Sequence, residues 1–475
     1  MIDNSVVRTR IAPSPTGEYH IGHLRTCLYD YALAKKNKGQ FVLRIEDTDQ
    51  KRHVEGAEER IYQVIKDYGL SWDEGPDIGG PYAPYIQTQR LEIYQKYINE
   101  LIDKGLAYYC FCTEERLTKM RETQKATNQI PRYDRHCLSL TPQEIRQNLD
   151  NKVPYTVRMT IPANKTIILD DLVRGKIKFN TNDVDDQVLI KSNGIPTYHF
   201  AVVVDDHLMN ITHIFRGEEW ITSTPKQILL YQYLGWDLPI FAHLTVLLNP
   251  DGKGKLSKRH GATSARSFLE DGYLPEAMLN FLMLLGWNPG DNQEIFTLEE
   301  FVQAFSLERL HKKSPVFDRK KLDYINGCYL RKKTDEELFL LFKKFLPQAS
   351  DEQIKILVPV LKERIVKLSD LTTQTKFLFE NVEYDKDLLL KKGTDPKLAQ
   401  VMLTKTKELL TNFNDIQNRL LNLIKDNNWN LGEFFMVFRV AICGSTFTPP
   451  VVDCLPALGQ EKTLEKLEIA INKLS

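Results

Sequence analysis

The sequence predicts an α/β protein with a parallel sheet in its N-terminal half, an inserted α+β domain, and a C-terminal third built of helices. Strand and helix patterns alternate over residues 6–68, as they do in βαβ units. A segment rich in turn residues at 72–85 then interrupts the sheet pattern. Beyond residue 260 strand patterns become rare and helical periodicity predominates.

The first four elements form a strand–helix–strand–helix series. Residues 6–12 are predicted to form a strand, and residues 24–38 a helix. A second apolar strand is predicted at 41–45 and a second helix at 56–68, each helix being followed by a glycine. Because a helix connects the two strands, we expect them to pair in parallel.

An inserted domain is predicted over residues 86–189, after the turn-rich segment. It opens with a helix at 90–104 and then contains a cluster of cysteines. Two β-rich stretches follow, at 155–161 and 166–179.

The chain is predicted to return to the parallel sheet near residues 188–190. The apolar run 200–204 is predicted to be a buried parallel strand, and 217–234 a helix. Four later segments show helical periodicity: 274–285, 298–305, 336–345 and 353–368.

Composition limits the classes of function. The 475 residues, 42% of them hydrophobic, can bury a large core and are expected to form several domains. No apolar run reaches the roughly 18 residues of a membrane span, and residues 1–10 lack an apolar signal core. Seven cysteines in such a chain favour reduced thiols and a cytoplasmic location.

The net charge of zero argues against indiscriminate nucleic-acid binding, which depends on many phosphate contacts. A local basic patch remains compatible with this balance. Clusters of lysine and arginine at 312–313, 319–321 and 331–333 form such a patch or a solvated face.

Two cationic segments are typical of nucleotide sites. Ile11–Thr26 has the sequence IAPSPTGEYHIGHLRT, in which a strand ends in a tight turn and a helix begins near His20 and His23. Backbone N–H groups at a helix start favour an anion, and the i, i+3 spacing lets both histidines reach one phosphate chain. Gly252–Arg259, GKGKLSKR, is a glycine-rich loop whose lysines suit a departing pyrophosphate. Taken singly, the histidines fit surface positions or a metal pair equally well, and the loop fits a solvated turn.

In this order the two segments resemble the two defining motifs of class I aminoacyl-tRNA synthetases. Further blocks sharpen the resemblance to the bacterial-type glutamyl-tRNA synthetases, and it extends over essentially the whole chain. The blocks are RIAPSPTG (10–17), FVLRIEDTD (41–49), PTYHFAVVVDDHLM (196–209), IFRGEEW (214–220) and KLSKR (255–259).

The resemblance implies a division into domains. Residues 1–85 and 190–250 are expected to form a discontinuous Rossmann-type catalytic domain of the class I synthetase kind. The insert, 86–189, is expected to bind the acceptor end of tRNA. Residues 251–325 are expected to hold the KLSKR loop and a stem-contact region, and 326–475 an all-α anticodon-binding region.

Arginine suits the recognition of a glutamate side chain, because its planar fork matches a carboxylate bidentately. Arg10 and Arg216 lie at predicted strand ends, and Glu46 can pair with the substrate ammonium. The alternatives are a surface salt bridge for Arg10 and an ion pair of Glu46 with Arg44 or Arg52. The resemblance implies glutamate-binding roles for Arg10, Ala12, Ser14, Glu46, Tyr198 and Arg216.

The resemblance also implies an ATP site. The catalytic residues would be His20, His23, Lys255 and Lys258, which stabilise charge on the phosphates. Mg²⁺ would bridge the phosphates with few protein ligands. ATP would contact Pro13, Thr16, Gly17, His20, Gly22, Glu219, Leu248 and Lys258.

The implied reaction has two steps. L-glutamate and ATP give glutamyl-adenylate, and the terminal adenosine of tRNA(Glu) then accepts the glutamyl group. The resemblance implies that bound tRNA is needed for the first step, that Arg52 and Arg364 contact tRNA, and that the protein is a monomer. Whether tRNA(Gln) is also charged stays open.

Four rival interpretations explain less of the sequence. A tRNA-modifying relative lacks the helical C-terminal third, and a glutaminyl synthetase usually has a β-barrel-rich C-terminal part. A pantothenate-type ligase explains neither the length nor the helical tail. A catalytically dead RNA-binding paralogue would not need the intact histidines and lysines of the two motifs.

Cys110, Cys112 and Cys137 form a C-x-C-x24-C pattern that suits zinc, which takes four ligands in a tetrahedron. Many glutamyl synthetases have a histidine two residues after the third cysteine, where this chain has Ser139. Tyr133 resembles the ligand of a shorter tRNA-modifying relative, and His136 is another candidate. The alternative is a site that has lost its metal.

Overall fold

The computed structural model describes residues 6–257, 263–391 and 393–475. The chain divides into two compact units. The first unit comprises Met1–Phe268 and Leu279–Asp318, and the second comprises Leu269–Met278 and Arg319–Ser475.

None of the helices in the described ranges has both the length and the apolar character needed to cross a membrane.

The strands of the described chain all belong to the first unit. They are β1 (Arg8–Ile11), β2 (Gln40–Leu43), β3 (Ala107–Cys110), β4 (Thr156–Met159), β5 (Thr166–Asp171), β6 (Gly175–Asn180), β7 (Val188–Ile190), β8 (His213–Gly217) and β9 (Ile240–Leu244).

Helices accompany these strands along the chain. They are α1 (Ile21–Lys36), α2 (Ala57–Asp67), α3 (Leu91–Asp103), α4 (Glu114–Ala126), α5 (Pro142–Asp150), α6 (Tyr198–Leu208), α7 (Thr224–Leu234), α8 (Ala265–Glu270), α9 (Pro275–Leu284) and α10 (Leu298–Ala304).

β1 and β2 pair in parallel and α1 connects them, which confirms the predicted βαβ arrangement. β1 also lies beside β8, since the amide of Thr212 donates to the carbonyl of Arg8 at 2.9 Å. β8 and β9 pair in parallel, with Arg216 opposite His243 in the register. The carboxyl ends of β1, β8 and β9 therefore meet at one edge, where an α/β sheet binds its ligands.

The β5–β6 hairpin adds to this sheet, because β5 pairs in parallel with β9 through Asp171 and Phe241. From sequence, this β-rich stretch is predicted to belong to the insert. The alternating burial of β5 indicates that one of its faces is buried, but it carries no information about which distant strand pairs with β5.

The predicted return to the parallel sheet near residues 188–190 is wrong. β7 pairs antiparallel with β4, and β4 with β3, in a separate three-stranded sheet. Side chains of this three-stranded sheet pack into an apolar cluster that also holds residues of α3 and α6. A three-residue apolar strand fits either sheet, so local sequence could not decide.

The predicted buried strand at 200–204 is also wrong, because these residues lie inside α6. A short, continuous apolar run fits a buried strand or a buried helix equally well. Here residues 200–204 are all buried, and the last turn of α6 holds two buried carboxylates, Asp205 and Asp206. The predicted helix at 217–234 begins with a 3₁₀ segment, Glu218–Ser223, before α7.

The second unit is helical, as its periodicity predicts. Thr334 with Glu337 and Ser350 with Gln353 form capping boxes at two helix starts. The helix predicted at 353–368 ends earlier than expected, two residues after Pro359. The helices are α11 (Arg319–Lys332), α12 (Asp335–Phe345), α13 (Asp351–Leu361), α14 (Asp370–Phe379), α15 (Pro396–Leu409), α16 (Ile416–Asp426), α17 (Leu431–Cys443), α18 (Val451–Leu458) and α19 (Gln460–Leu474).

Candidate active site

A cavity of about 1000 Å³ opens at the carboxyl ends of β1, β8 and β9. All six residues predicted to bind glutamate line it: Arg10, Ala12, Ser14, Glu46, Tyr198 and Arg216. Residues of the predicted nucleotide and tRNA sets line it as well: Pro13, Thr16, His20, Gly22, His23, Arg52, Glu219 and Lys255.

Of the other residues predicted for ATP and tRNA, three described ones lie outside the lining of the cavity. Leu248 and Gly17 fall outside the lining of the cavity, although Gly17 shapes the turn before α1 with a φ of 144°, which favours glycine. Lys258 lies outside the described residues. Arg364 is an exposed residue of the second unit, just after α13.

The two histidines stand at the start of α1. His20 is the N-cap, and its Nδ1 accepts a hydrogen bond from the Gly22 amide at 2.9 Å. This leaves the ring proton of the neutral imidazole on Nε2, so that atom is a donor. The ring of His23 lies 6.4 Å from that of His20. Because the surrounding protein displaces water, the pKa of His23 is lowered.

The loop that follows β9 contributes a cation. The Lys255 ammonium lies 3.0 Å from the carboxylate of Glu219, and both side chains remain about half exposed. Burial opposes ionisation of Glu219, but the backbone, Lys255 and His23 together lower its pKa. The pair thus joins the loop to the 3₁₀ segment after β8, beside the histidines.

Arg10 is held by a buried carboxylate rather than by a surface partner. Its Nε donates to Asp206 Oδ1 at 3.0 Å, and the side chains are 4% and 2% exposed. Arg44 contacts the same carboxylate at 2.8 Å. Burial opposes both ionised forms, yet Asp206 raises the pKa of Arg10, and the two arginines lower that of Asp206.

Glu46 also pairs with Arg44, at 2.9 Å, so the alternative foreseen for it from the sequence is present in the structure. It lines the cavity all the same. Burial raises the pKa of Glu46 to about 6, although Arg44 and Arg10 oppose this change. Near neutral pH the group is therefore mainly a carboxylate that faces the cavity.

Arg216 has a different environment. Its fork donates to neutral acceptors, namely His243 Nε2 at 2.9 Å, Gln227 Oε1 at 2.7 Å and Thr224 Oγ1 at 2.9 Å. Among the described residues no carboxylate forms an ion pair with it. Burial lowers its pKa, and a hydrogen bond with Tyr198, whose ring is tilted against that of Trp220 at 4.6 Å, opposes this effect. A buried guanidinium without an anion favours an anionic ligand.

Sequence reasoning gave no role to Asp206 or His243, and it considered Arg44 only as an ion-pair partner of Glu46. Arg44 and Asp206 lie inside the blocks 41–49 and 196–209, where charged residues interrupt apolar runs. His243 is a polar residue within the apolar strand β9, which is a signal that local sequence does offer.

A second cluster lies in the insert. The thiol sulfurs of Cys110, Cys112 and Cys137 lie within 4.8 Å of one another, and Cys112 and Cys137 are 3.5 Å apart. The Tyr133 oxygen lies 3.3 Å from the sulfurs of both Cys110 and Cys112. Hydrogen bonds from Cys137 and Tyr133 lower the pKa of the Cys110 thiol to about 4, although burial opposes the change.

These separations fit a metal. Tetrahedral zinc with Zn–S bonds of about 2.3 Å keeps its sulfur ligands about 3.8 Å apart. His136 is exposed and is not part of the cluster in the described chain, and the Ser139 hydroxyl donates to the His136 carbonyl. Tyr133 is therefore better placed than either to be the fourth ligand.

Two family models match the chain. The model described as "tRNA synthetases class I (E and Q), catalytic domain" matches residues 6–324, and the one described as "Anticodon binding domain" matches residues 337–471.

Known proteins are similar over nearly the whole length. The glutamate–tRNA ligase of Borreliella afzelii (strain PKo) is 42% identical, with 98% of each chain covered. That of Clostridioides difficile (strain 630) is 42% identical, with 98% of this chain and 99% of the relative covered. The crystal structure of a glutamate tRNA ligase from Elizabethkingia meningosepticum, in complex with its amino acid, superposes with a TM-score of 0.88 at 38% identity. It covers 99% of this chain and 100% of its own.

Proposed function

Because the chain belongs to the glutamate–tRNA ligase family of class I synthetases, we propose that it charges tRNA(Glu) with L-glutamate for protein synthesis. In the first step a carboxylate oxygen of glutamate attacks the α-phosphorus of ATP, and pyrophosphate leaves. In the second step the 2′-hydroxyl of the terminal adenosine attacks the activated carbonyl, and AMP leaves.

One observation carries this proposal beyond the family relationship. The cavity brings together a set of groups for an amino acid with two carboxylates and a set for a nucleotide. Arg216, with Arg10 near it, holds the γ-carboxylate, and Glu46 takes the ammonium. A site in which the buried Arg216 has no carboxylate partner rejects glutamine, whose amide leaves that charge unmatched. Ala12, Ser14 and Tyr198 complete the glutamate site.

The nucleotide occupies the side of the cavity lined by the turn before α1. Its phosphates accept from His20 and His23, and Lys255 and Lys258 neutralise the charge that builds on them. Pro13, Thr16, Gly22 and Glu219, which line the cavity, contact the rest of ATP, and Gly17 shapes the turn beside it. The role expected for Leu248 requires ATP to extend beyond this lining. Mg²⁺, with few protein ligands, would supply further positive charge at the phosphates.

Zinc is proposed for the insert, held by the three cysteines and Tyr133, with a structural role. The insert binds the acceptor end of tRNA, and Arg52, which lines the cavity, contacts the tRNA there. Arg364 reads the anticodon. We propose that the protein acts as a monomer, and in the cytoplasm, where charged tRNA is used.

Charging of purified tRNA(Glu) and tRNA(Gln) with radiolabelled glutamate tests the proposal. The protein is expected to charge tRNA(Glu), and Lys258→Ala to abolish this. Charging of tRNA(Glu) alone, with tRNA(Gln) accepted after Arg364→Ala, would support anticodon discrimination. Charging of both by the unchanged protein would remove that role from Arg364.

Failure to charge either tRNA while still binding one would overturn the enzymatic proposal. The chain would then be a catalytically dead RNA-binding paralogue. Gel-shift assays on the same tRNAs distinguish this outcome from an unfolded preparation.

A further inference from the structure

We infer that Asp171 and His243 are positioning residues that aim Arg216 at the γ-carboxylate of glutamate and so contribute to selection against glutamine. The inference rests on the proposed role of Arg216. It concerns two residues that neither line the cavity nor belong to either cationic motif.

The three side chains form a buried chain across neighbouring strands. Asp171 Oδ2 lies 2.6 Å from His243 Nδ1, and His243 Nε2 lies 2.9 Å from Arg216 Nε. The side chains of Asp171 and His243 are fully buried. Asp171 ends β5, and His243 lies opposite Arg216 on the paired strands β9 and β8. The β5–β6 hairpin thus brings a carboxylate to the imidazole that contacts Arg216.

Chemistry determines the direction of the two hydrogen bonds. A guanidinium nitrogen only donates, so His243 Nε2 must accept from Arg216. The ring proton is then on Nδ1 and is donated to Asp171. A carboxylate at the other end of an imidazole selects this tautomer. Burial, opposed by Asp171, lowers the pKa of His243 and keeps the ring neutral.

Asp171 is itself fixed in place. Its Oδ1 accepts from the amides of Val173 at 3.0 Å and Arg174 at 2.8 Å, and Oδ2 accepts from the amide of His243 at 3.1 Å. Burial opposes ionisation, but His243 and these amides lower the pKa of Asp171. It is therefore an ionised acceptor, and His243 cannot exchange its tautomer without losing the bond.

The consequence concerns how Arg216 faces the cavity. A guanidinium has five N–H groups, and its Nε is the one that His243 holds. Gln227 and Thr224 each take one N–H of the two terminal nitrogens. Each terminal nitrogen carries one further N–H, and the Tyr198 side chain, which belongs to the proposed glutamate site, also hydrogen-bonds to the guanidinium. Two N–H groups are the number that a bidentate carboxylate accepts. The ring of Phe241 lies under the guanidinium at 5.1 Å and is parallel to the imidazole of His243.

Asp171→Asn tests the chain of contacts. An asparagine amide would donate to Nδ1 of His243 and favour the tautomer with its proton on Nε2. The Nε2–H of His243 would then face the Nε–H of Arg216, and the hydrogen bond between them would be lost. The dissociation constant for L-glutamate, measured by titration calorimetry, is expected to rise roughly tenfold, the weakening that follows loss of a hydrogen bond to a charged group. Binding of L-glutamine is expected to change little.

His243→Gln supplies the conservative variant. Its amide oxygen can accept from Arg216 without any help from Asp171, so it should weaken glutamate binding much less. In the His243→Gln background, Asp171→Asn should then have little further effect. His213→Gln, on β8 and bonded to Thr212, serves as the matched control and should bind glutamate normally.

Equal effects of Asp171→Asn in both backgrounds, or none in either, would overturn the inference. If Asp171→Asn does not fold, His243→Leu is compared with His243→Gln, and equal affinities would overturn it as well. Arg216→Lys tests the premise separately. If that variant binds glutamate normally, the proposed role of Arg216 fails, whatever the result for Asp171.

Discussion

Asp206 Oδ1 lies 3.0 Å from Arg10 Nε, and both side chains are buried. Removing the carboxylate would leave the charges of Arg10 and Arg44 without this partner. We expect Asp206→Asn to reduce the free energy of unfolding by about 3–5 kcal/mol and to raise the KM for glutamate, because Arg10 loses its orientation. Denaturant unfolding and steady-state charging measure the two effects.

Asp205→Asn is the control for Asp206→Asn. Asp205 is equally buried, but it accepts from Arg90, Gln87 and Tyr94 and not from Arg10. Its loss should destabilise the protein with a smaller effect on the KM for glutamate. Equal changes in KM for the two variants would show that Arg10 is not oriented by Asp206 in particular.

Glu46 predicts a dependence of glutamate affinity on pH. Its pKa is raised to about 6 by burial, and only the carboxylate can pair with the substrate ammonium. Affinity should therefore be constant well above pH 6 and should fall on acidification, approaching roughly tenfold per pH unit below the pKa. Calorimetric titrations over a series of buffers check this.

The charged groups that contact or lie near Glu46 do not titrate near pH 6. Arg44 and Arg10 stay charged, and the pKa of Asp206 is lowered. Glu46→Gln should bind glutamate weakly and without this dependence on pH. A pH dependence that persists unchanged in the variant would assign it to another group.

Lys255 is expected to act on the rate rather than on stability. Its ion pair with Glu219 is largely exposed, and such pairs contribute little to folding. Lys255→Ala should reduce kcat by roughly 10²-fold, since a cation at the developing phosphate charge is lost. The thermal midpoint and the KM for glutamate should change little. Initial rates of charging measure the effect.

Lys253→Ala is the matched control for Lys255, because Lys253 is an exposed lysine of the same loop that does not line the cavity. It should charge tRNA at the normal rate. A comparable loss in both variants would indicate a general electrostatic effect of the loop.

The thiol cluster is expected to hold one zinc ion per chain, and chelation should lower the thermal midpoint. Elemental analysis and thermal unfolding check these outcomes. Cys112→Ser should lose the metal, and Tyr133→Phe should weaken its binding, whereas Cys328→Ser, outside the cluster, should retain it. Purified protein that takes up no zinc would identify a site that has lost its metal.

Local sequence determined the secondary-structure elements whose residues interact with near neighbours in the chain. The alternation of strand and helix, the start of α1 near His20 and the positions of Arg10 and Arg216 at strand ends follow from residues near one another in the chain. The three cysteines were also identifiable from their spacing within a single insert, whereas Tyr133 was suggested by the resemblance to a shorter relative.

Tertiary structure decided what depends on distant pairing. The run Phe200–Val204 is equally apolar in a helix and in a strand, and only the packing around it made it part of α6. Asp171 meets His243 because β5 pairs with β9, across about 70 residues of sequence that carry no local sign of the contact. Residue types could be predicted from their neighbours in sequence, but partners of buried charges are set by which strands and helices the whole core brings together.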